Sequence, residues 1–290
     1  MTLTDFPMTA PLRRVPASRV PDVGTPMPDD ERPALSADRG ARVAVVRRPA
    51  GRIPSPVALA LVGALHERFD DERREILRER RCRAQSAADG APIAPDRRSS
   101  GAHEDPAWRV LPGSARAAVV ARPRGWEEAE DRLEVGGRPA SATLVDVALH
   151  VADAHARRAD GPGIEVRLTG LQGRREARLW DEVLAFTERW LGLPGGTVRA
   201  RIVLGCVQAA TEAEEVLFEL RGRAATFALG DLDALQAEAA DARARTAAVQ
   251  PGCGEVGPTP ASVRALPERV ARIRSRRYAE PVSGSVAMAS

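Results

Sequence analysis

Three stretches of this chain carry side chains whose types and spacing could support chemistry. Arg122-Pro123-Arg124-Gly125-Trp126 closes an apolar run at Ala117–Ala121 and sets two guanidinium groups at what reads as a strand end. A planar, permanently charged fork suits a planar oxyanion, although an arginine-rich chain also places ordinary arginines at strand ends. Gly230-Asp231-Leu232-Asp233 has the form of a helix N-terminus, with carboxylates facing the positive end of the helix dipole. Gly205-Cys206 follows the apolar run Ile202-Val203-Leu204. A thiol there is a soft donor, poorly matched to a hard cation, and reads as a small buried residue at a strand end. Glu212, Glu214, Glu215 and Glu219 read mostly as a solvated helix face.

Other chemistries lack their residues. His66, His103, His150 and His155 form no recognisable ligand cluster, and the spacing of His150 and His155 keeps them off one helical face. Gly192-Leu193-Pro194-Gly195-Gly196 reads as a helix-ending turn, not a phosphate loop. Cys82, Cys206 and Cys253 are odd in number and widely spaced, which fits neither a disulfide framework nor a paired metal motif.

The elements that must position these groups alternate between helical and strand periods. Residues 1–52 are rich in Pro, Ala, Arg and Asp around one apolar run, Val43–Val46, and read as a disordered leader. Ser55-Pro56 is an N-cap followed by N1, opening a helix whose apolar stripe runs from Leu59 through Phe69 to Leu77 and which ends near Arg83. A polar linker follows to about Asp105. Leu133–Pro139 reads as a hairpin or loop, Thr143 to about Arg158 as an amphipathic helix, and Ile164–Leu168 as a strand. A helix around Trp180, a Pro-Gly turn, the strand Ile202–Leu204 and an acidic helix over Glu212–Leu220 come next. Further helices are expected over Asp231–Arg245 and Ser262–Arg277, with a terminal strand at Val282–Met288. Helix, turn, strand, helix is the pattern of a β/α barrel repeat.

The balance of charge limits the partners. The chain has 290 residues, 43% of them hydrophobic, and a net charge of +3. All basic residues are arginine, for there is no lysine, and acidic residues interleave with them almost throughout. Nucleic-acid binding needs charge clustered on one face, so that role is not expected. Pro56–Leu65, the longest apolar run, is too short to span a bilayer. A soluble cytoplasmic protein is the expectation.

The wording of the sequence is more specific than its pattern. Glu176-Ala177-Arg178-Leu179-Trp180-Asp181-Glu182, the Leu191–Ala200 turn and the strand after it resemble the middle of malate synthase, the glyoxylate-cycle enzyme that joins acetyl-CoA to glyoxylate. His66-Glu67-Arg68-Phe69, Trp108–Pro112 and Arg122–Trp126 resemble further family segments in the same order. The resemblance implies an α/β fold: a partial (β/α)8 barrel over residues 106–290, preceded by a helix and linker over 53–105. By the resemblance, a family block is expected to be skipped between Pro112 and Ala117, and the family's C-terminal helical domain is expected to be missing.

By the same resemblance, Arg124 stands at the arginine that stabilises the enolate, and Arg122, Gly230 and Asp231 stand in the substrate-binding surroundings. Two family acids hold Mg2+; Gly205 occupies the position of one, and Asp233 that of the other. Gly170 and Gln172 replace a lysine and a glutamate. The family's catalytic base lies in the C-terminal domain. Acetyl-CoA and glyoxylate are therefore the implied substrates, with condensation expected to be impaired or absent. The alternative expectation is a non-catalytic protein that pairs with another chain, or with its own copy, through the incomplete barrel.

Overall fold

The structure, a computed structural model, describes residues 43–46, 54–91, 107–110, 118–157, 163–249 and 259–278. The expected strand at Val282–Met288 and nearly all of the expected leader lie outside them. The rest is built around a long helix, α1 (Pro56–Ala88). Ser55 caps it, its hydroxyl accepting from the Ala58 amide at 3.2 Å, and Pro56 fills a position whose N–H would have no helical partner. Leu61, Val62, Leu65, Phe69 and Ile76 are buried along one stripe. The helix runs past the expected stop at Arg83, through a segment of exposed residues, and ends on Gly90 at φ 86°.

A parallel sheet lies at the centre of the protein. Its strands β2 (Ala118–Ala121), β5 (Gly163–Leu168), β6 (Val198–Leu204) and β7 (Ala224–Leu229) stand in that order, every neighbour parallel. Parallel neighbours require crossover connections, and helices provide them. α2 (Ala142–Ala156) precedes β5, α3 (Arg174–Trp190) links β5 to β6, and α4 (Val207–Thr211) with α5 (Ala213–Glu219) links β6 to β7. α6 (Leu232–Val249), α7 (Pro260–Arg264) and α8 (Leu266–Arg277) follow. α1 packs on α2 and α3, and α8 packs against β7. Along β6, Val198, Ala200, Ile202 and Leu204 are fully buried, while Arg199, Arg201 and Val203 between them are half-buried.

A second sheet is antiparallel, with order β1 (Val43–Val45), β3 (Ala129–Val135), β4 (Arg138–Ser141). Gly136 and Gly137, at φ 60° and 74°, make the β3–β4 turn, so the stretch expected as a hairpin or loop is a hairpin. β1 belongs to the region expected as a leader, yet its three residues pair in register with β3. The apolar run Val43–Val46 finds a sheet edge to pair with, which local composition does not reveal, although only Val43 is partly buried there and Val45 and Val46 stay exposed.

Several expected boundaries shift. β6 begins at Val198, before the apolar triplet expected to define it, because alternation with Arg199 and Arg201 masks the strand. The acidic helix expected over Glu212–Leu220 is α5, and a short helix that was not expected, α4, precedes it across Glu212; the single terminal helix is two, broken where Pro267 opens α8. β7 was not expected at all, since Ala224–Leu229 contains only Phe227 and Leu229 as large apolar residues.

Polar staples fix these layers. Arg223 is buried, donating from Nε to Asp181 at 2.6 Å and from Nη1 to Glu188 at 3.3 Å. Glu188 also accepts from the amides of Gly196 and Val198, so one carboxylate ties the end of α3 to the start of β6. His66 is buried on α1; its Nδ1 lies 2.7 Å from the Val62 carbonyl, and its Nε2 accepts from the Ser141 amide at 2.8 Å. That arrangement requires neutral imidazole, and burial lowers its pKa below the ordinary 6.5. The unfolded chain thus binds the proton more readily than the folded one. His66 therefore contributes stability in full above about pH 6.5 and loses it as pH falls toward the depressed folded value. Thermal melts between pH 8 and pH 5 should show a steeper decline for the natural protein than for His66→Gln.

Candidate active site

Because β2, β5, β6 and β7 are parallel, their C-terminal ends gather four loops on one edge. These are Arg122–Trp126 after β2, Thr169–Gly173 after β5, Gly205–Cys206 after β6 and Gly230–Asp231 after β7. Every residue expected to carry chemistry lies in these loops or, like Asp233, in the first turn of the helix that follows. In β/α folds this edge is where function resides.

Arg124 is already engaged there. Its backbone amide and Nε donate to Asp146 Oδ2 at 2.9 and 3.0 Å, and Nη2 donates to Asp146 Oδ1 and Glu130 Oε2, both at 2.7 Å. Hydrogen bonding to Asp146 raises the Arg124 pKa; partial burial opposes this, and Glu130 adds to the rise. Two carboxylates on one guanidinium leave less positive field for an external oxyanion. Arg122 is exposed. Trp126 is buried, packs against Trp180 with the rings tilted by 46° at a centroid distance of 4.6 Å, and its carbonyl accepts from Arg73 of α1 at 2.7 Å.

The ends of β6 and β7 nearly touch. A Cβ on Gly230 would stand 3.2 Å from both the Gly205 Cα and the Leu204 carbonyl, and a Cβ on Gly205 would stand 3.0 Å from the Thr169 carbonyl. Cys206 caps α4: its sulfur accepts from the Ala209 amide at 3.5 Å and lies 3.4 Å from the Leu171 carbonyl. Burial pushes its pKa up to about 11, so it is a neutral thiol at physiological pH. Asp231 caps α6, accepting from the amides of Asp233 and Ala234 at 2.9 and 3.2 Å. Asp233 is exposed.

The acidic helix departs from the expected solvated face. Glu212 is buried and accepts from the Arg174 amide at 3.0 Å at the start of α3, where Gly173 leaves it room. Glu214 pairs with Arg276 and Arg277 of α8, and Glu219 with Arg178 of α3. The carboxylates point back across the fold to arginines that are remote in sequence.

A residue pair that sequence reasoning missed dominates the β5–α3 loop. Glu176 is 2% exposed and receives Arg80 of α1 in a two-point contact, Nε to Oε1 at 2.6 Å and Nη2 to Oε2 at 2.5 Å. Arg80 also donates to the Gly170 carbonyl at 2.8 Å and to Glu127 at 3.1 Å. The available signal was spacing: His66, Arg73 and Arg80 recur every seven residues along α1, and each reaches a different segment of the chain, at Ser141, Trp126 and Glu176. Beside this clamp a cleft of about 390 Å³ opens between α1 and the loops, bordered by Cys82, Arg83, Gln172, Arg174 and Gln208.

The donor set at this edge does not fit magnesium, which asks for several oxygen ligands in octahedral array. Gly205 brings no side chain, Asp231 is spent on a helix cap, and Cys206 is a half-buried, neutral thiol. Among the described residues, no three His, Cys, Asp or Glu side chains stand together as metal ligands.

Fold and site together define a β/α protein of the barrel type, with its candidate functional groups on the C-terminal edge of a parallel sheet. A family model described as "Malate synthase, TIM barrel domain" matches residues 118–289, and the chain belongs to that family. It is 32% identical over 173 residues to the malate synthase of Myxococcus xanthus, covering 59% of this chain and 32% of that protein. The malate synthase of Streptomyces clavuligerus is 34% identical over 183 residues, covering 62% of this chain and 34% of that protein. A glyoxysomal malate synthase of Cucurbita maxima is 33% identical over 121 residues, covering 40% of this chain and 21% of that protein. The chain thus matches about a third of the length of the two bacterial relatives. Among the described residues, no helix is long and apolar enough to cross a membrane.

Two substitutions test the local geometry. Gly205→Ala should cost about 1–3 kcal/mol in urea unfolding, because the added methyl meets backbone that cannot easily yield. Asp231→Ala should cost about 1 kcal/mol, the value of a lost helix cap.

Proposed function

We propose that this chain is a malate-synthase-family scaffold in which condensation of acetyl-CoA with glyoxylate is severely impaired or lost. The observation that carries the reading is the state of Arg124: the guanidinium assigned to the enolate is held by Asp146 and Glu130. Gly205 supports it, since a family metal position has no donor atom. Removal of a single preorganised charge or ligand commonly costs orders of magnitude in rate. Glyoxylate and acetyl-CoA remain the substrates to test first, with Arg122, Gly230, Asp231 and Asp233 as the surroundings of any residual binding.

A second reading is favoured by the sheet. Among the described residues, β2 and β7 each have one strand neighbour, and unpaired edges invite pairing with another chain. In this reading the barrel is incomplete and the protein acts by association, with its own copy or with another chain.

A coupled assay for CoA release from acetyl-CoA plus glyoxylate, with and without Mg2+, separates the outcomes. Protein that melts cooperatively should give no turnover above the uncatalysed rate. Metal-dependent malate formation that disappears in Arg124→Ala would overturn the proposal. Sedimentation of the same sample should show a dimer or larger species if the second reading holds, and a monomer if it does not.

A further inference from the structure

We infer that the Arg80 guanidinium, rather than a divalent cation, is the positive charge that organises the C-terminal edge of this sheet. Four oxygens surround it: both carboxylate oxygens of Glu176, the Gly170 carbonyl and the Glu127 carboxylate. An all-oxygen cage with two carboxylates is the kind of environment a hard cation occupies elsewhere. Here a side chain from α1 fills it, 12% exposed, against a glutamate that is 2% exposed.

The clamp reaches further than its own contacts. Glu176 accepts from the Gln172 amide at 2.9 Å as well, so Arg80 and Glu176 together hold both Gly170 and Gln172 of the β5–α3 loop. The loop's Leu171 carbonyl is in turn the partner of Cys206, at the end of β6. Arg80 thereby connects α1, the β5–α3 loop and the β6–α4 junction. It is a positioning residue, and the connection stands whether or not any condensation survives. Lysine could not replace it, since a single ammonium cannot meet both carboxylate oxygens and the carbonyl in one plane.

Cys206 reports on this device. In a Cys82→Ser, Cys253→Ser background, the rate at which a disulfide reagent labels Cys206 at fixed pH measures local opening of the loop. Arg80→Met should raise that rate by about tenfold or more, the scale of a lost charge-assisted contact. Arg80→Lys, which keeps the charge and should fold if Met does not, should fall between the two. The increase should be nearly independent of urea at low concentration, which marks local opening and separates it from global destabilisation. His66→Gln, which loosens α1 at its other end, should not reproduce it. Mg2+ and EDTA should leave the melting temperature of the natural protein unchanged.

Unchanged labelling in both Arg80 variants would overturn the inference. So would labelling that rises only in step with global unfolding, or a stabilisation by millimolar Mg2+ that Asp233→Ala removes. A failed CoA-release prediction would leave the Cys206 labelling rates of the Arg80 variants untouched, so the clamp is tested apart from the proposed loss of chemistry.

Discussion

A guanidinium withdrawn from water must be met by carboxylates or carbonyls, or the burial costs more than the fold can return. This constraint governs how the elements join. Arg80 meets Glu176, Arg223 meets Asp181 and Glu188, and Arg277 meets Glu214, and in each case the partners come from different elements. Such pairs add little net stability over a well-packed apolar contact, but breaking one strands a buried charge at about 3–5 kcal/mol. They therefore act as specifiers, fixing which helix lies against which loop. With no lysine in the chain, every such staple is an arginine, whose planar fork makes two contacts where an ammonium makes one. A composition that looks like a coding bias thus has a structural consequence.

The same staples shape the candidate site. Catalysis of enolate formation depends on donors whose field is held ready for a charge that develops later. At this edge the donors are occupied: Arg124 by Asp146 and Glu130, Arg80 by Glu176 and Glu127, and the start of α3 by Glu212. Rigidity and neutrality are reached together. An incoming anion would have to displace carboxylates already in good geometry, which raises its cost of binding. The pairing that makes the edge well ordered is also what supports the proposed loss of chemistry.

Much of this was legible in the sequence, and the reasons differ from element to element. α1 declared itself through Ser55-Pro56 and a sustained apolar stripe, and the β3–β4 turn through Gly136-Gly137, because capping and positive φ are local requirements. The candidate site was placed by wording: a strand end before Arg122–Trp126 and an Asp-headed helix put their residues on the C-terminal edge of the sheet. β7 stayed hidden because its small residues take their burial from β6 and α8, not from their own hydrophobicity. Glu176 and Glu212 stayed hidden for a related reason. A carboxylate's burial depends on where a distant arginine or amide lies, as with Arg80, 96 positions away.

The second face of the sheet bears on how much barrel this chain builds. In a closed barrel that face is filled by layers of branched apolar side chains. Here the cross-strand neighbours Glu165 and Arg199, then Arg167 and Arg201, occupy it, with an ion pair running from Arg201 to Glu165. The Arg201 side chain keeps 42% of its surface in contact with solvent. Charges of this density at the centre of a filled barrel would each need a buried partner, whereas at a half-open face water supplies part of the solvation. The pattern is therefore easier to reconcile with the proposed incomplete barrel than with a closed one.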